Sequence, residues 1–345
     1  MEQNIKSNTE SIEQQAEKRW SHYNYVAFDP RNIPEAAENN AKIFAAGDVY
    51  GIEVTIPALA EQCEGNIDPQ HTDGNVNLCA IELAVTKQLP EEGSILATVR
   101  ADLDSIGAMA VLSNRLEFGF DTERSMQDGI DEGYYKGLED FLYRIDKIAE
   151  SDKFAHGGYP GPRPLPTHEN PWADGSSELG AIAAAVADFK TPLADRVAVM
   201  GKWLVSGEEP TKYREQVEQD RLNLINALES GEIHVNVISA RDGVSDIAIV
   251  ECSHRAATTV GYLRAPVVIA CNPKFKQGPG EAYKKYTICQ FEDKFVDIKA
   301  VREELNALEP GWGGSPTIIG SPQGVSSQLS IEDVATIVEK HLVRQ

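Results

Sequence analysis

The chain is short of positive charge. Against 54 aspartates and glutamates it sets only 32 lysines and arginines, a formal net charge of −22. Non-specific binding to nucleic acid relies on lysine and arginine neutralising phosphates, so long polyanions are poor candidates as substrates or partners. A small phosphorylated molecule, held by metal ions and a few local cations, remains compatible. Long apolar runs are also missing, which excludes an evident membrane-spanning helix. The opening Met1-Glu-Gln-Asn-Ile5 has neither the basic nor the apolar part of a signal peptide, so the expected location is the cytoplasm. Cysteine is scarce: five residues, an odd count, with no Cys-x-x-Cys spacing. Cys252, Cys271 and Cys289 sit in apolar, strand-like runs and read as buried thiols rather than disulfides or a zinc site; the other two are Cys63 and Cys79.

What is present begins with length. At 345 residues the chain exceeds one typical domain, and two domains with a cleft are expected. The stretch from Ser94 to Leu112 changes its hydrophobic period halfway. Ile95, Leu96, Ala97 and Val99 form a short apolar run, as a buried strand would, and Ile106, Met109, Ala110 and Leu112 fall at helical spacing. Asp102 and Asp104 stand on the turn between them. In an open α/β sheet that turn lies at the carboxyl end of a strand, where ligands bind. Two acids one residue apart, with Gly107 allowing close approach, suit a divalent cation that prefers oxygen ligands. Acids favoured by the dipole at a helix start are the structural alternative, with Ser105 as a further cap.

Elsewhere the pattern predicts a strand over Val49–Ile56, a helix over Val76–Leu89, a second strand over Arg115–Phe120 and a mostly helical stretch from Ser125 to Asp152. Residues 156–172 hold too much proline and glycine for regular structure, and long loops in compact domains are often functional. Helices follow over Pro192–Val205 and Thr211–Glu229, the second ending at Gly231. From Ile233 the texture becomes short β runs at His234–Ile238, Ile247–Glu251, Pro266–Cys271 and Tyr286–Phe291, with helices at Ile298–Leu308 and Ile331–Leu342.

Several polar groups stand out on this frame. The loop Gly65–Gly74 gathers Asp68, His71 and Asp73 in ordinary turn chemistry. His168 and Glu169 form a pair in which one could ligate a metal or protonate a leaving oxygen while the other orients it, and His156 offers a second partner. Ser253-His-Arg255 precedes a helical pattern, so His254, Arg255 and free N–H groups could receive an anion. The loop Gly311–Gly324 carries consecutive glycines, Gly313 and Gly314, followed by Ser315, a composition suited to backbone amides closing on an anion.

Ala101-Asp-Leu-Asp-Ser-Ile-Gly-Ala108 resembles the first motif of the DHH phosphoesterase superfamily, and Gly311-Trp-Gly-Gly-Ser-Pro-Thr-Ile-Ile-Gly-Ser-Pro-Gln-Gly324 resembles the glycine-rich substrate loop of the DHH-associated domain. The resemblance implies an α/β protein with a parallel-sheet N-terminal domain, a smaller C-terminal α/β domain and an active-site cleft between them. It divides the chain into a polar lead (1–40), a DHH-like catalytic domain (41–205), a connector helix (206–231) and a DHH-associated-like substrate domain (232–345). It implies a metal-dependent hydrolase of a small phosphoester or phosphoanhydride, using Mn2+ or Mg2+, with a homo-oligomer left open. Asp102, Asp104 and His168 would be catalytic, and metal would be held by Asp102, Asp104, His71, Asp152 and His168. His254, Arg255, Gly313, Gly314 and Ser315 would hold the remote part of the substrate. The sequence departs from the family where Thr98-Val-Arg100 replaces an upstream histidine, where Thr167 and Glu169 flank His168, and where Ser315 replaces the histidine of Gly-Gly-His. These departures motivate the alternative of a weakened, nucleotide- or phosphometabolite-binding protein on the same scaffold.

Overall fold

A computed structural model describes residues 22–69, 75, 77–118, 138–156, 158–175, 179–239, 246–276 and 281–343. The fold is mixed α/β and contains two sheets, one parallel and one mixed. The chain divides into two compact units, Met1–Gly157 with Glu178–Val217, and Gly158–Ser177 with Glu218–Gln345. No helix among the described residues is long and apolar enough to cross a membrane.

The first unit is built on strands β1 (Asn24–Ala27), β2 (Val49–Ile52), β3 (Gly65–Ile67) and β4 (Ile95–Thr98), all parallel, in the order β1-β4-β2-β3. All four residues of β4 are buried, as a strand covered on both faces requires. The alternation of the strands sorts their side chains. Ile52, Ile67 and Leu96 join a core with Ile81, Ile106, Met109, Ile148 and Met200, whereas Val49, Ile95 and Ala97 pack with Phe28, Ile43 and Phe44. The helices of this unit among the described residues are α1 (Pro34–Ala46), α2 (Pro57–Ala60), α3 (Ala80–Thr86), α4 (Leu103–Phe118), α5 (Leu138–His156), α6 (Gly180–Val186) and α7 (Leu193–Ser206).

Several elements differ from the sequence reading, among them β3, which opens the stretch Gly65–Gly74 read as a loop. Strand β1 lies within the polar lead, where four residues, Asn24-Tyr-Val-Ala27, are too few to show a period; pairing with β4, Tyr25 opposite Leu96, builds it into the sheet. The strand expected from Arg115 is instead the last turn of α4. Arg115 is 1% exposed and its Nη1 donates to the carbonyls of Ala84 and Lys87, both at 2.7 Å, so it satisfies the carboxyl end of α3. Gly107 does serve a close approach, to a neighbouring helix: a Cβ there would stand 2.6 Å from Ile81 Cδ1, so the glycine lets α3 and α4 touch.

Helix α8 (Thr211–Glu229) has the bounds the sequence predicts, and the division between the units falls within it, after Val217. It is followed by Gly231 at φ +77°. The second unit carries β5 (His234–Ser239), β6 (Asp246–Glu251), β7 (Val267–Phe275), β8 (Tyr283–Gln290), β9 (Gly313–Ser315) and β10 (Ile318–Gly320), in the order β5-β6-β7-β8-β10-β9. Only β6 and β7 are parallel, and α9 (Ala257–Tyr262) joins them. Helices α10 (Ile298–Leu308) and α11 (Ile331–Lys340) bury Val301, Leu305, Val334 and Val338 with Ile247, Ile269 and Ile288. On the other face Ala248, Val250 and Val268 meet Val260 of α9 and Ala227 of α8.

Helix α10 starts at Asp297, whose Oδ1 accepts from Ala300 N–H at 3.0 Å. Asp297→Ala should therefore lower stability by about 1 kcal/mol, measured by urea unfolding, while Asp297→Asn keeps most of it.

Candidate metal centre

Residues just after the strands of the parallel sheet, with others on or capping helices α3 to α5, form the site. Asp102 is the N-cap of α4: its Oδ1 accepts from Ser105 N–H and Oγ–H, both at 3.1 Å, and its own N–H donates to Ser105 Oγ at 3.0 Å. Its side chain stays 39% exposed, with Arg100 Nε 3.6 Å from Oδ2. The capping alternative is thus realised at Asp102 and leaves one carboxylate oxygen facing outward.

Asp104, two residues on, is 2% exposed. Its Oδ2 accepts from Ala80 N–H at 2.7 Å and its Oδ1 from Ile81 N–H at 2.8 Å, tying α4 to the start of α3. Each oxygen keeps a second lone pair. Asp152 of α5 and Cys79, which caps α3, complete a cluster: one ligand atom from each of Cys79, Asp104 and Asp152 lies within 4.8 Å of the others. It is the one potential metal-holding group found among the described residues.

Glu53 and Asp68 directly follow β2 and β3 and are also buried. Glu53 is the single non-glycine residue with positive φ, +52°, among the described residues, and its N–H donates to Ile67 O at 2.8 Å. That left-handed conformation is costly for a side chain with a Cβ, and such outliers gather where function demands them. Burial pushes the Glu53 carboxyl up to about 10, reinforced by the charges of Asp104, Asp102, Asp152 and Asp68. Asp104 is raised to about 7, chiefly by burial and then by Asp152, against the pull of the two amide donors. Burial, followed by Asp104 and Asp152, also holds the Cys79 thiol protonated well above its ordinary range. Acids are therefore concentrated beyond the carboxyl ends of parallel strands, the usual ligand position in such sheets.

The cluster unites Asp104 and Asp152 of the residues expected from sequence, with Asp102 close enough to raise both Glu53 and Asp104. His71 lies outside the described residues. Glu53 and Cys79 were missed. Read as alternation, Val49–Ile56 makes Glu53 a solvent-facing strand residue; the usable signal was an acid directly after an apolar run that ends a strand.

His168 belongs to the second unit. Its Nε2 is 3.1 Å from Asn226 Oδ1 and 3.6 Å from Glu229 Oε2. The proline-rich loop around it is bound there by Arg163 N–H to Leu263 O at 2.7 Å, by Arg221 to Asp174 at 2.7 Å and by Arg221 over the Trp172 ring at 4.5 Å. His254 Nδ1 accepts from Ala256 N–H at 3.1 Å, and exposed Arg255 pairs with Asp220. Helix α9 begins only at Ala257 and spans six residues, so the expected helix start gives little anion attraction. Gly313, Gly314 and Ser315 form β9, an exposed strand of a hairpin rather than an open nest. Gly314 has φ +148°, and a Cβ there would collide with the Ile318 carbonyl oxygen; the glycine serves the hairpin's close approach. Beside it is a pocket of about 500 Å³ whose lining includes Lys294, Lys299, Arg302, Gly314 and Ser315.

Neither a protein-family model nor a curated protein sequence matches the chain.

Proposed function

We propose that the chain is a divalent-metal-dependent hydrolase acting on a small phosphoester or phosphoanhydride, a divergent member of the DHH phosphoesterase superfamily working in the cytoplasm. The observation that carries the reading is the Cys79–Asp104–Asp152 cluster, with Cys79 and Asp104 buried and Asp152 half-buried, Glu53 beside it and Asp102 at its rim. The donors fit a cation: several carboxylates share a low-dielectric volume, where mutual repulsion is relieved by a positive charge or by protons. Mn2+ or Mg2+ is the expected ion, supplying Lewis acidity and activating water toward phosphorus.

In this reading Asp104, held by two backbone N–H groups, gives the ion a fixed carboxylate, because donors behind a ligand set its orientation. Asp152 approaches from α5. Asp102 offers its outward oxygen, and Arg100 beside it can meet a phosphoryl oxygen. His71 and His168 stay in the proposal as metal or proton-transfer groups. His254, Arg255 and the Gly313–Ser315 strand, beside a pocket lined by Lys294, Lys299 and Arg302 together with Asp293 and Asp297, are proposed to hold the rest of the substrate.

The alternative, a phosphometabolite- or nucleotide-binding protein without turnover, draws on Arg255 being paired with Asp220 and on Ser315 standing in the place of a histidine. One assay separates the two: pyrophosphate, small phosphodiesters and dinucleotides incubated with the full chain and Mn2+ or Mg2+. The hydrolase reading expects metal-dependent turnover that Asp102→Asn lowers at least about tenfold to hundredfold. Asparagine is as good a helix cap as aspartate, so stability should hold while activity falls. Tight binding with no turnover under any divalent ion would transfer the case to the sensor.

A further inference from the structure

The cluster contains a sulfur, and the expected ions favour oxygen. We infer that Cys79 Sγ joins Asp104 and Asp152 on a single ion, making a mixed thiolate–carboxylate centre that selects a thiophilic divalent cation, of the Zn2+, Co2+ or Fe2+ class, over Mg2+. The inference rests on the hydrolase reading only in taking this place to hold a cation.

Geometry supports a shared ion. Metal–sulfur bonds of about 2.3 Å and metal–oxygen bonds of about 2.0–2.2 Å put ligands of one ion at most about 4.5 Å apart. The three donor atoms here fall within 4.8 Å of one another; three ligands around one ion stand about 3–4 Å apart, so side-chain shifts of up to about an ångström close the site. Both Asp104 oxygens already receive backbone N–H groups and retain the lone pairs a metal needs. The Cys79 backbone is fixed as well, its N–H donating to Glu82 Oε2 at 3.0 Å. The Cys79 thiol stands 3.5 Å from the Ala149 carbonyl oxygen. On coordination its proton leaves to solvent and the sulfur's charge falls on the ion, the usual coupling of thiolate binding to proton release.

Glu53 is the independent observation. It is 6% exposed, it sits among Asp104, Asp102, Asp152 and Asp68, and no hydrogen bond or ion pair reaches its carboxylate among the described residues. A carboxylate so largely removed from water, with no donor from the protein, is costly even where its oxygens keep some solvent contact, and the backbone that carries it holds the uncommon φ of +52°. A cation at the cluster supplies what the polypeptide does not. Soft thiolate favours Zn2+, Co2+ and Fe2+, whereas Mg2+ keeps to oxygen and to its own water.

The test is a Co2+ titration of the full chain, stripped with chelator and kept reduced. The expected result is one Co2+ per chain with a sulfur-to-cobalt charge-transfer band in the near ultraviolet. Zn2+ at equal concentration should bleach the band, and Mg2+ in large excess should not. Cys79→Ser should lose the band, Cys63→Ser should keep it, and Glu53→Gln should keep it while weakening Co2+ binding about tenfold or more. X-ray absorption of the Zn2+-loaded unaltered chain reads the same bond without any variant, as a single sulfur at about 2.3 Å. Stoichiometric binding with no band and no sulfur scatterer, or a band that survives Cys79→Ser, overturns the thiolate centre while leaving the hydrolase cation intact. Failure of Co2+, Zn2+ and Mn2+ alike to bind removes both.

Discussion

Asp104→Asn is expected to lower metal affinity and any metal-dependent hydrolysis more than about hundredfold, because changes to groups merely behind a ligand already cost about tenfold to hundredfold. The substitution is nearly isosteric and its consequences can be assigned atom by atom. Asp104 accepts one N–H on each oxygen, from Ala80 and Ile81. An amide has one oxygen, so one of these N–H groups faces an NH2 and goes unpaired. A buried unsatisfied donor costs about 1–3 kcal/mol, and the change also removes a negative charge from a site crowded with them. Net destabilisation should therefore be at the low end of that range in metal-free protein, and larger in Mn2+, where the wild-type chain gains binding energy that the variant lacks. Urea unfolding with and without Mn2+, beside isothermal titration, measures both terms. Equal Mn2+ stabilisation of the two proteins would remove Asp104 from the site.

The second large effect is in pH. Glu53 and Asp104 have folded-state pKa values raised to about 10 and about 7, from ordinary values of 4.5 and 3.8. A raised carboxyl binds more protons in the folded than in the unfolded chain, so between the two values stability falls as pH rises. Metal-free protein should accordingly have a higher urea midpoint near about pH 5.5 than near about pH 8. Asp29, Asp188 and Glu304 are shifted the other way by their hydrogen-bonding partners. Stability from such lowered groups is present above their unfolded values and is lost only below them, so they do not offset the slope in this window. A bound cation favours the ionised forms, and Mn2+ stabilisation should grow toward pH 8. A metal-free midpoint that is flat or rises over this range would contradict the buried acid cluster.

The sequence makes some of this architecture legible and hides the rest for physical reasons. Helices α8, α10 and α11 are visible because their apolar residues repeat at helical spacing, β5 to β8 because each is a short apolar run, and Ile95–Thr98 followed by Leu103 onward because the period changes at the two aspartates; the short β9 and β10 read as a glycine-rich loop. Strand β1 is four residues at a sheet edge, too short to show a period. The last turn of α4 misleads because Arg115, a charged residue, is buried to satisfy carbonyls that are remote in sequence. At the site, Asp102 and Asp104 announce themselves by spacing. Glu53 and Cys79 do not, since their role comes from strand order β1-β4-β2-β3, which brings the ends of β2, β3 and β4 side by side although 15 residues or more of chain separate them. Gly314 shows the reverse error: a glycine that reads as freedom for an anion is required by the backbone of Ile318.

The claim on which the rest depends is that a divalent ion occupies the space between Asp104, Asp152 and Cys79. Crystals soaked in Mn2+ and measured at the manganese edge locate such an ion directly. The account predicts an anomalous peak bonded to Asp104 and Asp152, next to Glu53, and absent from Asp104→Asn crystals. Manganese bound only at other places on the chain, or an empty cluster at saturating Mn2+, would contradict it.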